Sequence, residues 1–311
     1  MARPWDSTLP LAATLLLLLA CGDADAGPHG YAVNSRGFLP DDQMHRLWHI
    51  DLETGQATAL GQTGFLDIEG LAITSDGRLL AADDESKTLV ELNRNSGFGT
   101  PVGGSRNNMS VALMPMDLGM TYTCDERLLV SSDVERSLYE ADPTTGRLTR
   151  IGEAGSLGAP ITDLAAWGDR IFGISEGSAG GGDEPNLYLV DPETATATLI
   201  GPLGAAVHPY ANAGLAFDEQ GVLWAVTDRR DAGQLDLPAQ ILRIDIDSGQ
   251  ATHVADAEVV GFESLAISAP GGCDLQGGGS PIIVPAYNRT GLVILVLLLG
   301  ILAMRVRPGG F

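Results

Sequence analysis

Residues 187–201 read LYLVDPETATATLIG, and four other stretches of the chain repeat that phrase with its turn in the same place. They are LWHIDLETGQATALG from Leu47, LVELNRNSGFGTPVG from Leu89, LYEADPTTGRLTRIG from Leu138 and ILRIDIDSGQATHVA from Ile241. Each is an aliphatic run, a short polar turn and a second run that mostly ends at glycine, which is the pattern of a β-hairpin. Asp51, Asn93, Asp142, Asp191 and Asp245 open the turns, and Gly55, Gly97, Gly146, Ala195 and Gly249 close them. An Asp or Asn that opens a turn accepts backbone N–H bonds, and a closing glycine tolerates a positive φ. The five opening residues are therefore expected to be structural turn caps.

A unit that returns every 40 to 55 residues marks a repeat architecture. A second hairpin lies between the copies, clearest in GLAITSDGRLLAADDE from Gly70 and GLAFDEQGVLWAVTDR from Gly214. Weaker versions are GMTYTCDERLLVSSD from Gly119 and DLAAWGDRIFGISE from Asp163. The last copy, ESLAIS from Glu263, stops after one strand, and its missing mate stands at the other end of the body as GYAVNS, Gly30 to Ser35. The prediction is an all-β, five-bladed β-propeller of four-stranded antiparallel blades over residues 28–270. Pairing the first strand of this body with the last would close the ring and hide the edges of an open array. The phrase resembles the L-x-x-I-D-x-x-T-G repeats of secreted bacterial β-propellers, loosely akin to the NHL and gluconolactonase-like groups. That resemblance implies the fold far more than a function.

A chain of 311 residues with 44% hydrophobic content can bury a substantial core. Its 40 acidic against 18 basic residues leave a formal charge of −22, which would repel a phosphate backbone, so no nucleic-acid partner is expected.

Residues 1–26 read as a signal peptide, because the apolar run LAATLLLLLA is too short to span a bilayer as a stable helix. Cleavage after Ala24-Asp25-Ala26 competes with a lipobox, Leu18-Leu19-Ala20-Cys21, which would end the signal at residue 20 and lipidate Cys21. A Gly-rich linker at 271–283 leads to residues 284–311, where an apolar segment at 291–304 is the candidate transmembrane helix, with Arg305 and Arg307 on the cytoplasmic side. This end resembles the IPTL-CTERM sorting signals, with Val284-Pro285-Ala286-Tyr287 where that family has Ile-Pro-Thr-Leu. The resemblance implies a sorting or processing enzyme at the C-terminus; a plain tail anchor is the alternative. Either way the body is expected outside the cytoplasmic membrane, on the bacterial envelope, as a monomer held to the membrane by its tail.

Propellers gather loops around a central channel, and acids recur there in two slots. The starts of the innermost strands offer Glu69, Asp117, Asp163, Asn212 and Glu263, oxygen donors of the kind a hard cation such as Ca²⁺ requires. The ends of the second strands offer Asp84, Asp133, Glu176 and Asp228, with Ser35 in the fifth copy. The competing reading makes the first set a solvated acidic rim and the second a set of loop caps. Cys124 and Cys273 can form a disulfide only if the tail folds back under the ring; two free thiols are the alternative. No H-x-H, H-E-x-x-H, C-x-x-C or GxSxG spacing occurs, so no catalytic residue and no obligatory cofactor is assigned. Two functions remain. One is a non-catalytic binding or scaffold module for a protein or glycan at the loop-bearing face. The other is a Ca²⁺-dependent hydrolase or lactonase of the gluconolactonase-like kind, with Glu69, Asn212 and Glu263 on the ion and Asp163 or Asp117 as base.

Overall fold

The computed structural model describes residues 27–34, 44–111, 117–177, 184–229 and 237–273. Residues 1–26, read as a signal peptide and including Cys21, the loop position Ser35, most of the stretch read as a Gly-rich linker and the whole segment 284–311 lie outside the described residues. Among the described residues no helix is long and apolar enough to cross a membrane.

The chain forms β1 (His29–Asn34), β2 (Arg46–Asp51) and β3 (Ala57–Gln62), then β4 (Ile68–Ile73), β5 (Leu79–Asp83), β6 (Thr88–Leu92) and β7 (Gly99–Pro101). There follow β8 (Leu118–Tyr122), β9 (Leu128–Ser132), β10 (Ser137–Ala141) and β11 (Leu148–Ile151), then β12 (Ile161–Trp167), β13 (Arg170–Ser175), β14 (Asn186–Asp191) and β15 (Thr196–Pro202). The last are β16 (Tyr210–Phe217), β17 (Leu223–Arg229), β18 (Pro238–Ile244), β19 (Ala251–Val260) and β20 (Phe262–Ala266). They make five four-stranded antiparallel sheets. Blades 1 to 4 are β4–β7, β8–β11, β12–β15 and β16–β19, and blade 5 runs β20-β1-β2-β3. The predicted closure is therefore present, with Tyr31 opposite Ala266 and Ala32 opposite Leu265.

The repeated phrase supplies strands three and four of each blade, and the turn between them is built the same way five times. Asp51 Oδ1 accepts the N–H groups of Glu53 and Thr54, and the pattern recurs at Asn93, Asp142, Asp191 and Asp245. The glycine at the end of the phrase has a use that its own hairpin does not explain. A Cβ on Gly61 would overlap the carbonyl of Ser96, and one on Gly201 the carbonyl of Ser248. Gly103 and Gly152 stand in the same way against Thr145 and Thr194, so in the four phrases that end in glycine this residue is a seat for the outer turn of the next blade.

Apolar residues fill the space between blades in five buried clusters, one for each pair of neighbours around the ring. At the hub the innermost strands crowd together: a Cβ on Gly70 would strike the Leu118 carbonyl, on Gly119 the Asp163 backbone, and on Gly214 the Ser264–Leu265 peptide. An innermost strand has no ladder partner on its inner edge. Side chains of adjacent blades occupy some of those N–H groups: Glu69 Oε2 takes that of Leu118 (3.0 Å), and Thr121 Oγ1 that of Ala166 (3.0 Å).

After β20 the chain turns under the ring. Ser268 to Gly271 line the channel's far end together with Ile73, Tyr122, Ala166 and Phe217. The Ser268 hydroxyl donates to the Phe217 carbonyl (3.2 Å), and the Gly168 N–H donates to the Gly271 carbonyl (2.9 Å). The Trp167 ring lies against Gly221, Gly271 and Gly272. Cys273 then bonds Cys124 of blade 2, with their Cα atoms 5.3 Å apart. Of the two states left open from sequence, the disulfide is the one formed. Residues 271–273, read as the start of a linker, belong to this packed crossing.

Candidate functional site

The opposite end of the channel is where innermost strands begin and second strands finish. Counting back from Leu71, Met120, Leu164, Leu215 and Leu265, which line one stretch of the channel, resolves the predicted acids into three levels. Glu69 and Glu263 lie two residues back, Asp163 one back, and Asp117 and Asn212 three back. They do not form one ring.

Glu69 and Glu263 are brought together. In blade 1 Ile68 faces Asp83 and Gly70 faces Ala82, so Glu69 is an extra residue in the ladder; Glu263 is skipped in the same way between Phe262 and Ser264. Such β-bulges re-aim a side chain at a sheet's rim. Carboxylate oxygens of Asp67, Glu69 and Glu263 consequently all lie within 4.8 Å of one another, with both glutamates buried and Asp67 half-buried. Sequence reasoning missed Asp67. Its signal was an acid two positions before Glu69, in the loop that leads into β4. Oxygen-only donors at this separation suit a hard cation, which would take its remaining ligands from water or a bound partner.

Asp163 is used otherwise. Its Oδ1 accepts the N–H groups of Met120 (2.9 Å) and Leu164 (2.8 Å), and its Oδ2 accepts that of Leu215 (2.6 Å). One side chain thus joins the innermost strands of blades 2, 3 and 4. Full burial raises its carboxyl well above the usual carboxylate range, and the three donors act against that rise. With both oxygens engaged it is a strut, poorly placed to take a proton from water. Asp117 is half-buried, and its N–H donates to Asp133 Oδ1 (2.8 Å). Asn212 is buried; its Oδ1 accepts the Ala213 N–H (2.7 Å), while its Nδ2 has no hydrogen-bond partner among the described residues.

The second slot is in register. Asp84, Asp133 and Glu176 each follow the second strand of their blade, and Asp228 is the last residue but one of β17. The N–H groups of Asp84, Asp133 and Glu176 donate to carbonyls of Asp67, Asp117 and Pro160 in the loops that lead to the innermost strands. Beyond that shared backbone tie the side chains diverge. Asp84 forms a buried ion pair with Lys87. Burial raises the Asp133 carboxyl, with the charge of Asp84 adding to the rise. Glu176 is raised by burial and then by Asp133, with Arg136 opposing. These acids sense one another across blades, so the mouth is a shared acidic field. Leu66 and Val134, on loops of the same face, are 59% and 50% exposed.

Trp48, Trp167 and Trp224 pack within the ring. Trp224 Nε1 donates to Asp218 (2.9 Å) and Trp48 Nε1 to Asn34 (2.9 Å).

No protein-family profile and no curated protein matches the chain. Among solved structures, a virginiamycin B lyase from Staphylococcus aureus is 15% identical over 74% of this chain and 70% of its own, with a TM-score of 0.40. A gluconolactonase from Xanthomonas campestris is 13% identical over 76% and 78%, with a TM-score of 0.43. A protein from Bacteroides caccae is 12% identical over 77% and 98%, with a TM-score of 0.44.

Proposed function

We propose that this protein is an exported, envelope-anchored propeller that binds a protein or glycan partner at its loop-bearing mouth. The observation that carries this reading is the asymmetry of the channel: one end is crossed by residues 268–271, while the other presents Asp67, Asp117, Asp133 and Glu176 beside exposed Leu66 and Val134. An acidic opening flanked by apolar side chains complements a partner that carries amines or guanidinium groups. Export is supported by the apolar N-terminal run and by the Cys124–Cys273 bond, which suits an oxidising compartment. The tail supports attachment, with a processing enzyme or a plain membrane anchor as its partner. The test titrates the full-length protein with a lysine-rich oligopeptide and with a glucosamine oligomer. Binding of either that weakens about tenfold, ~1.4 kcal/mol, in Asp133→Asn/Glu176→Gln is the expected result. Affinity unchanged in that variant would overturn the assignment to this mouth.

A second reading follows from the grouping of Asp67, Glu69 and Glu263: a Ca²⁺-dependent hydrolase or lactonase with the ion at the mouth. It differs from the reading from sequence in two ways: Asp67 stands in the donor group in place of Asn212, whose Oδ1 accepts the Ala213 N–H, and Asp163, one of the two bases expected, is engaged elsewhere. Calorimetric titration with Ca²⁺ separates the two. Millimolar ion without heat removes the hydrolase; lactone hydrolysis lost on Glu69→Gln removes the non-catalytic module.

A further inference from the structure

The ring closes through one strand pair, and that pair is also where the chain enters and leaves. Pro28 precedes β1 and Ile267 follows β20, and Tyr31 lies opposite Ala266, so both exits stand at the same end of an antiparallel seam. A pull applied at that end loads the seam's hydrogen bonds in succession instead of together. β20 is the weaker member, because it has a ladder neighbour on one side only, whereas β1 lies between β20 and β2. A tail that serves as the point of attachment would direct tension into this weakest strand.

The crossing under the ring changes the route. From blade 5 the chain meets blade 4 at Phe217, blade 3 at Trp167 and Gly168, and ends in a covalent bond to blade 2. Cys124 lies in the turn between β8 and β9, far from either end of the body, and 149 positions separate it from Cys273. Everything from β9 to β20 therefore falls inside one covalent loop, which tension from outside cannot extend. We propose that residues 267–273 with the Cys124–Cys273 bond are a strap that carries tension: force on the chain beyond Cys273 is delivered to blade 2 and bypasses β20. The inference rests on the tail being the attachment, but the measurement does not depend on what the tail attaches to.

The test holds the full-length protein by its first and last residues in magnetic tweezers at constant force. Lifetime is recorded before and after reduction in place by a dithiol, which returns two cysteine thiols and becomes a cyclic disulfide. Reduction is expected to shorten the lifetime at least tenfold, with a first step that releases β20 and the crossing. The double variant Cys124→Ser/Cys273→Ser should match the reduced protein; should it fail to fold, reduction of the folded wild type gives the same comparison. Lifetimes equal within a factor of two in the two redox states would overturn the proposal. So would free thiols at both positions, seen by mass spectrometry of the exported protein.

Discussion

The two ends of the channel are built on opposite terms. At the end bearing the tight turns, and around the outer rim beside it, the same solution is written again and again: an Asp or Asn that caps a turn, and a glycine that seats the neighbouring blade. At the mouth the backbone ties repeat but the side chains do not, so Asp84 holds a lysine where Asp133 holds a loop N–H and Glu176 feels both Asp133 and Arg136. Uniform residues mark positions that have to assemble the ring. Diversified residues on a common backbone mark positions available for recognition.

Substitutions can break or sharpen that contrast. The largest effect is expected inside the mouth, at the acid that ties three blades together. Asp163→Leu strands the buried N–H groups of Met120 and Leu215, each costing about 1–3 kcal/mol, so unfolding in urea should show a loss of about 4 kcal/mol. Gly119→Ala forces a methyl into the Asp163 backbone and should cost about 3 kcal/mol in the same assay, although Ala is the milder residue by strand propensity. Asp142→Ala loses exposed turn bonds and should cost about 1 kcal/mol. Val134→Ser, exposed on the mouth's loops, should stay within about 0.5 kcal/mol while weakening partner binding. A thermal shift as large for Val134→Ser as for Asp142→Ala would erase the distinction.

Acidity should divide the same two regions with opposite signs. Hydrogen bonds from Thr144 and Thr145 lower the Asp142 carboxyl to about 2, and similar bonds lower Asp191 and Asp245. Their contribution is present above the ordinary carboxylate range and is lost as pH falls toward the lowered values. Asp133 and Glu176 are raised, so the folded state holds their protons longer than the unfolded chain does; stability falls as pH climbs from the ordinary carboxylate value through the raised one. Asp142→Asn should flatten the acid limb of a stability profile and Asp133→Asn the upper one. Binding of a cationic probe should strengthen across that upper window, as the mouth gains charge.

Much of this was legible in the chain because repetition makes register visible. Five aligned turns, each opened by Asp or Asn and four of them closed by Gly, and a lone strand at each end of the body were enough to count blades and place the seam between Tyr31 and Ala266. The mouth was harder to read. Glu69 and Asp163 both read as strand starts, yet they stand one position apart: Glu69 is the bulge residue of blade 1, whereas in blade 3 Thr162 takes that place and Asp163 stands in the ladder opposite Ile174. Asp67 escaped because it stands in the loop before β4, outside the strand-start slot. The disulfide was ambiguous because its feasibility depended on a tail crossing, which only the seating of Gly271 and Gly272 against Trp167 reveals.

The crowding at Gly70, Gly119 and Gly214 has a bearing on how such a molecule can evolve. Duplicating one unit would widen the circle and pull these bare backbones apart, leaving gaps that no side chain is present to fill. The number of sectors is thus enforced from the hub outward, by atoms that are missing, and new specificity is more readily gained by rewriting loops than by adding another unit.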